Sequence, residues 1–173
     1  MTRSLGIGFV GAGFMNRFHV QSLVGVRDCH VAGVYSPTHA NAASLAALAN
    51  ELRLGETTVH GSVTDLVADP AVDAIWIAST NDSRVAVVEE IVEALRSGKG
   101  TLAGVALEKP LARNLKEARR VVGLIDSTGL PHGYLENQVF QPALVRGKDI
   151  IWRRAVPIAG RPYLARAAEE HSG

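Results

Sequence analysis

Six short apolar runs alternate along this chain with segments of helical periodicity. The runs cover residues 5–10, 30–35, 57–60, 73–79, 104–107 and 131–135. Between them, residues 14–24, 40–52, 62–67, 85–95 and 115–127 read as helices. Strand followed by helix throughout, with short links, predicts an α/β fold built on a doubly wound parallel sheet. The run Asp73-Ala74-Ile75-Trp76-Ile77-Ala78-Ser79 is apolar on both faces, which suits a sheet covered by helices on each side. The punctuation agrees. Ser62 and Asn114 stand where helices should start, and Gly98 and Gly129 where they should stop. Asp82 is read as the cap of the helix that follows it. In the first helix Phe14, Phe18 and Val24 fall near one face and are the expected apolar side.

Ligands of such sheets bind outside the carboxyl ends of the strands. Three motifs fall at those ends: Gly11-Ala12-Gly13, Ser79-Thr80-Asn81 and Glu108-Lys109-Pro110. The glycines follow a buried strand and open a helix, so they present backbone N–H groups and a positive helix end to a phosphate. Gly11 permits the tight turn. Gly13, without a Cβ, lets a pyrophosphate approach the backbone. The third position of this dinucleotide fingerprint is Asn16 rather than glycine. A Rossmann-type dinucleotide-binding domain over residues 1–136 is therefore expected.

The second strand ends at Tyr35-Ser36, where an NAD site ordinarily carries an acid on the ribose. Ser36 and Thr38 offer hydroxyls instead, and no arginine stands close by to clamp a 2′-phosphate. NAD and NADP both remain open. The same residues also read as a turn and helix cap. Thr80 and Asn81 are placed to bond a ribose or line a nicotinamide pocket. Lys109, at the end of the fifth strand, has the chemistry of an acid/base in hydride transfer: oxidising a carbinol requires removal of the hydroxyl proton as hydride leaves carbon. Free lysine, with a pKa near ~10.4, needs a pocket of low dielectric or a neighbouring positive charge to do this at neutral pH. Glu136 and Asn137 follow the sixth strand at the ligand edge and are candidate substrate contacts. His19 and His132 read as structural or exposed rather than catalytic, and Glu169, Glu170 and His171 as a solvated cluster.

Beyond residue 136 the character changes. A polar crossover leads to a helix over 143–148, then to a stretch with Pro157, Gly160 and Pro162 and a strand-like Tyr163-Leu164-Ala165-Arg166-Ala167. Residues 137–173 are expected to be the crossover and the incomplete start of an α+β C-terminal domain. A net charge of +1 on 173 residues implies no basic face, so nucleic acid is not an expected partner. No apolar run approaches the ~20 residues of a membrane span, and no signal-peptide pattern opens the chain. The six histidines lack zinc spacing, no metal is expected, and the single Cys29 fits a reducing, cytoplasmic setting.

The residues Gly8-Phe9-Val10-Gly11-Ala12-Gly13-Phe14-Met15, Ser79-Thr80-Asn81 and, most specifically, Glu108-Lys109-Pro110-Leu111 ahead of a helix resemble the glucose–fructose oxidoreductase and inositol dehydrogenase (Gfo/Idh/MocA) family. The resemblance implies an NAD(P)-dependent oxidoreductase acting on a sugar, cyclitol or related carbinol, and a homo-oligomer in full-length form. It implies Lys109 as the active-site lysine. Gly11, Gly13, Phe14 and Met15 would form the pyrophosphate turn, Thr80 and Asn81 the nicotinamide-side loop, and Glu108 would sit by the cofactor. Asn16, Ser36 and the near absence of a C-terminal domain depart from the pattern. On this reading the chain alone binds cofactor and turns over weakly or not at all, since substrate positioning supplies much of the rate. The alternatives are an NAD-dependent glycosidase of the same family and a non-catalytic dinucleotide-binding module.

Overall fold

The computed structural model describes residues 4–164 and Arg166. They divide into two units between Leu135 and Glu136. The first holds six strands: β1 (Leu5–Val10), β2 (Cys29–Tyr35), β3 (Thr58–Val59), β4 (Ala74–Ile77), β5 (Gly104–Glu108) and β6 (His132–Leu135). Their order is β3-β2-β1-β4-β5-β6, and every neighbouring pair is parallel. The expected Rossmann-type sheet is present. The chain winds outward from β1 to β3, returns, and winds outward again from β4. The carboxyl ends of β1 and β4, paired at Val10 and Ile77, therefore flank a switch point where their connections diverge.

Five helices make the crossovers: α1 (Phe14–Leu23), α2 (His39–Glu51), α3 (Val63–Ala68), α4 (Arg84–Arg96) and α5 (Leu115–Asp126). Side chains alternate across each strand, so the sheet feeds two cores. Phe9, Val31 and Val34 pack with Val20 of α1 and Leu45 of α2 on one face. Ile75 and Ile77 pack with Leu66, Val88, Ile91 and Val121 of α3, α4 and α5 on the other.

The caps form as the sequence predicts at two sites. Ser62 Oγ accepts the Asp65 N–H, and Asn114 Oδ1 accepts the Glu117 N–H at 3.0 Å each. Gly98 and Gly129 both end their helices with φ near +70°. Asn114→Ala is expected to cost about 1 kcal/mol, read as a lower urea midpoint at unchanged slope.

Four expectations are corrected. The face of α1 that packs inward is Asn16, His19, Val20 and Leu23, at i, i+3, i+4 and i+7, and not the aromatic one. Phe14 is 79% exposed and Phe18 and Val24 are also exposed, because polar Asn16 and His19 find partners inside. The N-cap of α4 is Ser83, not Asp82. Ser83 Oγ folds back to donate to Thr80 O at 3.0 Å. In the second unit helical structure runs well past residue 148. A 3-10 turn (Asn137–Phe140) leads into α6 (Pro142–Asp149), a π-helical stretch (Ile150–Ala155) and α7 (Val156–Ala159), where Pro157 sits in the first turn. Ala155 and Val156 just before it keep right-handed helical backbone angles, so the run continues past it. Tyr163 and Leu164 are not in a strand, and Ala165 and Ala167 lie outside the described residues. So do Glu169, Glu170 and His171.

Among the described residues no helix is long and apolar enough to cross a membrane. No three His, Cys, Asp or Glu side chains among them are grouped to hold a metal ion.

Candidate cofactor crevice

The chain leaves β1 through Gly11, whose N–H donates to Tyr35 O at 2.8 Å. Gly11 has φ +96°, and a Cβ there would stand 2.9 Å from Ala78 O. Only glycine fits without strain. Gly13 differs. Its φ is −79°, open to any residue, and a Cβ added to it would meet nothing within 4 Å. No protein atom requires a glycine here, so the bare backbone faces room for a ligand. Gly13 is the N-cap of α1, makes no side-chain cap, and is followed by no acid in the first turn. The first N–H groups of α1 and its positive end are thus left for an anion.

Asn16 fills the third fingerprint position by a different device. Fully buried, it donates through Nδ2 to Val10 O at 3.1 Å and to Gly11 O at 2.7 Å. A side chain clasps the strand end where a glycine would let helix and strand close up. Its Oδ1 is buried without a hydrogen-bond partner among the described residues.

A crevice of about 460 Å³ opens over the carboxyl ends of β1, β2 and β4. Gly11 and Gly13, Ser36, Asn41, Ser79 and Thr80 line it. Ser79 Oγ is buried there with no partner among the described residues, a polar atom waiting for one. Glu90 closes the far side, with Oε1 accepting from Thr64 N at 2.8 Å and Thr64 Oγ1 at 3.0 Å. Of the other anticipated residues, Thr38 is the N-cap of α2 without a side-chain cap bond, and Phe14 and Asn81 are exposed. Met15 is half-buried and lies outside the crevice lining.

The loops after β4 and β5 are held by a residue that composition hides. Arg84, the first residue of α4, is 2% exposed. Its guanidinium donates to Glu108 O at 2.6 Å, to Ser79 O at 2.7 Å and to Pro110 O. One side chain thereby pins Ser79, at the crevice, to the Glu108-Lys109-Pro110 step. Burial pulls the Arg84 guanidinium below its usual range, while Glu108 and then Tyr134 hold it up. The Lys109–Pro110 bond is cis. Lys109 itself is exposed.

Glu108 is 3% exposed, and both carboxylate oxygens are engaged by protein. Oε1 lies 2.7 Å from His19 Nε2, and Oε2 accepts the Lys109 N–H at 2.9 Å. His19, Glu108 and Arg84 thus form a buried polar knot beneath Lys109, with the Trp76 ring 4.7 Å from that of His19. Glu136 and Asn137 belong to the second unit, Glu136 half-buried and Asn137 exposed at the start of the 3-10 turn.

The structure brings Gly11, Gly13, Ser36 and Thr80 to one crevice. It places Glu108 and Lys109 at a strand end tied to that crevice through Arg84. Nothing in the sequence singles out Arg84, and His19 takes the structural rather than the exposed of its two expected places. Arginine and histidine are exposed or ambivalent by type, and only the spacing 16, 19, 20, 23 carried a signal.

The oxidoreductase family characterised by an NAD-binding Rossmann fold (Gfo/Idh/MocA) matches residues 5–134. Over 162 residues the chain is 32% identical to the 1,5-anhydro-D-fructose reductase of Ensifer adhaerens, covering 92% of this chain and 43% of that one. Over 117 residues it is 33% identical to inositol 2-dehydrogenase 1 of Saccharopolyspora erythraea, covering 67% and 32%. Among solved structures, an NAD binding oxidoreductase from Klebsiella pneumoniae superposes with a TM-score of 0.68 at 28% identity, over 90% of this chain and 40% of that one. The chain spans less than half the length of each of these proteins.

Proposed function

The chain belongs to the Gfo/Idh/MocA oxidoreductase family, and from that premise we propose that it is the cofactor-binding part of an enzyme moving hydride between NAD(P) and a carbinol of a sugar, cyclitol or related polyol. The observation that carries the reading is Gly13: a glycine with no protein neighbour to require it, at the uncapped start of a helix.

In this reading the turn Gly11–Gly13, with Phe14 and Met15, holds the pyrophosphate through backbone N–H groups. Ser36 and Thr38 give hydroxyls to the adenosine ribose and admit either cofactor. Ser79, Thr80 and Asn81 hold the nicotinamide side. Bound there, the nicotinamide ring supplies the hydride acceptor. Lys109 takes the proton from the substrate hydroxyl oxygen during oxidation and returns it during reduction. Glu108, with both oxygens engaged, works from beneath by holding the Lys109 backbone. Glu136 and Asn137 belong to the substrate side. The names of the two relatives point to small polyols or sugar derivatives as substrates. Assembly as a homo-oligomer and a cytoplasmic setting complete the proposal.

The test is calorimetric titration of the chain with NAD, NADH, NADP and NADPH. Saturable binding of one redox pair is expected. Lys109→Ala should keep that affinity within about threefold, yet lower hydride transfer to a polyol in the complete enzyme by about 10²–10⁴-fold. A folded chain that binds none of the four overturns the reading.

A further inference from the structure

We propose that His19 is a positioning residue: through it the phosphate-binding helix α1 fixes the strand end that carries Lys109. The proposal rests on the cofactor reading above for the role of α1, and on contacts within the protein for everything else.

The inward face of α1 carries two polar side chains one turn apart, and each is anchored to a different part of the site. Asn16 grips the glycine turn through Val10 O and Gly11 O. His19 reaches across to β5, where Nε2 meets Glu108 Oε1 at 2.7 Å, 89 residues away in sequence. Glu108 Oε2 then accepts the Lys109 N–H at 2.9 Å. A continuous run of bonded groups leads from the turn, along one helical turn, through His19 and Glu108 to the Lys109 backbone. His19 is 8% exposed and Glu108 3%, so water competes little for these bonds. Trp76 packs on the His19 ring at 4.7 Å, and the Phe18 ring lies edge-on at 5.9 Å, which fixes the imidazole plane. Arg84 donates to Glu108 O and brings the compensating positive charge from α4.

Packing alone does not call for such a pair. A leucine in place of His19, opposite an apolar residue, would fill the same space without desolvating a carboxylate. What the pair adds is register. It sets how far β5 extends toward α1, and so where Lys109 sits relative to the helix end that holds phosphate. Directional bonds specify that distance in a way apolar contact does not.

The test uses the whole chain and two variants. His19→Gln puts an amide donor close to the position of Nε2. His19→Leu keeps bulk and removes the donor. Site-resolved amide hydrogen exchange of the free chain reads the Lys109 N–H directly. Loss of the clasp is expected to lower its protection about tenfold or more in His19→Leu, with Val105 and Leu107 of β5 unchanged, and His19→Gln should restore it. NADH is then added. It should raise Lys109 protection in the parent and in His19→Gln, but not in His19→Leu, although all three bind it. If His19→Leu does not melt cooperatively, His19→Asn, too short to reach Glu108, replaces it. Equal Lys109 protection in parent and Leu variant overturns the proposal, as does failure of His19→Gln to rescue. Should the parent bind NADPH and not NADH, NADPH takes its place; absence of binding of any of the four nucleotides sinks the cofactor reading instead, and the free-chain comparison still decides the clasp.

Discussion

Arg84→Met is expected to destabilise the chain by about 3–5 kcal/mol and to lower Tm by roughly 10 °C. Arg84 is buried at the junction of two loops, and its guanidinium answers the carbonyls of Ser79, Glu108 and Pro110 together. Methionine fills much of the volume but leaves the buried Glu108 carbonyl and the part-buried Ser79 and Pro110 carbonyls without their common donor. It also removes a positive charge that interacts with Glu108 while that carboxylate stays buried. Each lost bond to a charged donor is worth about 1.5–3 kcal/mol, and an unanswered buried acceptor costs more than an unmade exposed one. Arg84→Lys tests the geometry: the charge remains, but a point donor cannot span three carbonyls as a planar fork does. It should recover less than half of the loss. Guanidinium denaturation at constant slope measures both variants. A change under about 1 kcal/mol for Arg84→Met would mean that the loops hold without the fork.

Gly13→Asp should divide binding from folding. The added Cβ meets nothing within 4 Å, and the backbone there is extended with φ −79°, so Tm should stay within a few degrees of the parent. Cofactor affinity should collapse. A carboxylate some 4 Å from a phosphate costs about 4 kcal/mol at an effective dielectric near 20, which is about 10³-fold in Kd. Gly13→Ala separates bulk from charge: it should also keep Tm and should lose less affinity. Gly11→Ala gives the reverse pattern. At φ +96° and 2.9 Å from Ala78 O, the new methyl disturbs the seam between β1 and β4 before any ligand arrives. Calorimetric titration and thermal melts of the three variants are sufficient. Unaltered NAD(H) affinity in a folded Gly13→Asp chain would remove Gly13 from the phosphate site.

The sheet was legible in the sequence because its signal is local. The central strands are short, largely buried apolar runs, and each crossover opens with a cap or closes with a glycine, so period and punctuation suffice. What escaped depends on partners far away in the chain. Hydrophobicity placed Phe14 and Phe18 on the inner face of α1, but Asn16 and His19 occupy it, because Val10, Gly11 and Glu108 offer them hydrogen bonds. Arg84 looks like any helix-surface arginine until three carbonyls converge on it. Glu108 has both carboxylate oxygens engaged inside the protein, a fact that no spacing in the sequence encodes. The sequence pattern carries a helix only over 143–148, yet helical backbone continues through Pro157 to Ala159. Polar residues inside a fold are read from three dimensions, apolar ones from one.

The strand order also dictates how the molecule comes together in time. As the chain is made, β1, β2 and β3 are available to pair early, but the other edge of β1 stays open until Ala74 and the rest of β4 emerge. Asp73 then closes the seam, donating its N–H to Gly6 O at 2.7 Å and accepting the Gly6 N–H on Oδ2 at 2.8 Å. The two walls of the crevice lie on opposite sides of that joint: Gly11, Gly13 and Ser36 belong to the early half, Ser79 and Thr80 to the late one. Any molecule gripping both walls is a rivet through the seam. It holds the halves together after they meet, and so slows their parting more than it speeds their meeting. For a newly made chain, the supply of that molecule sets how often the seam reopens to a protease.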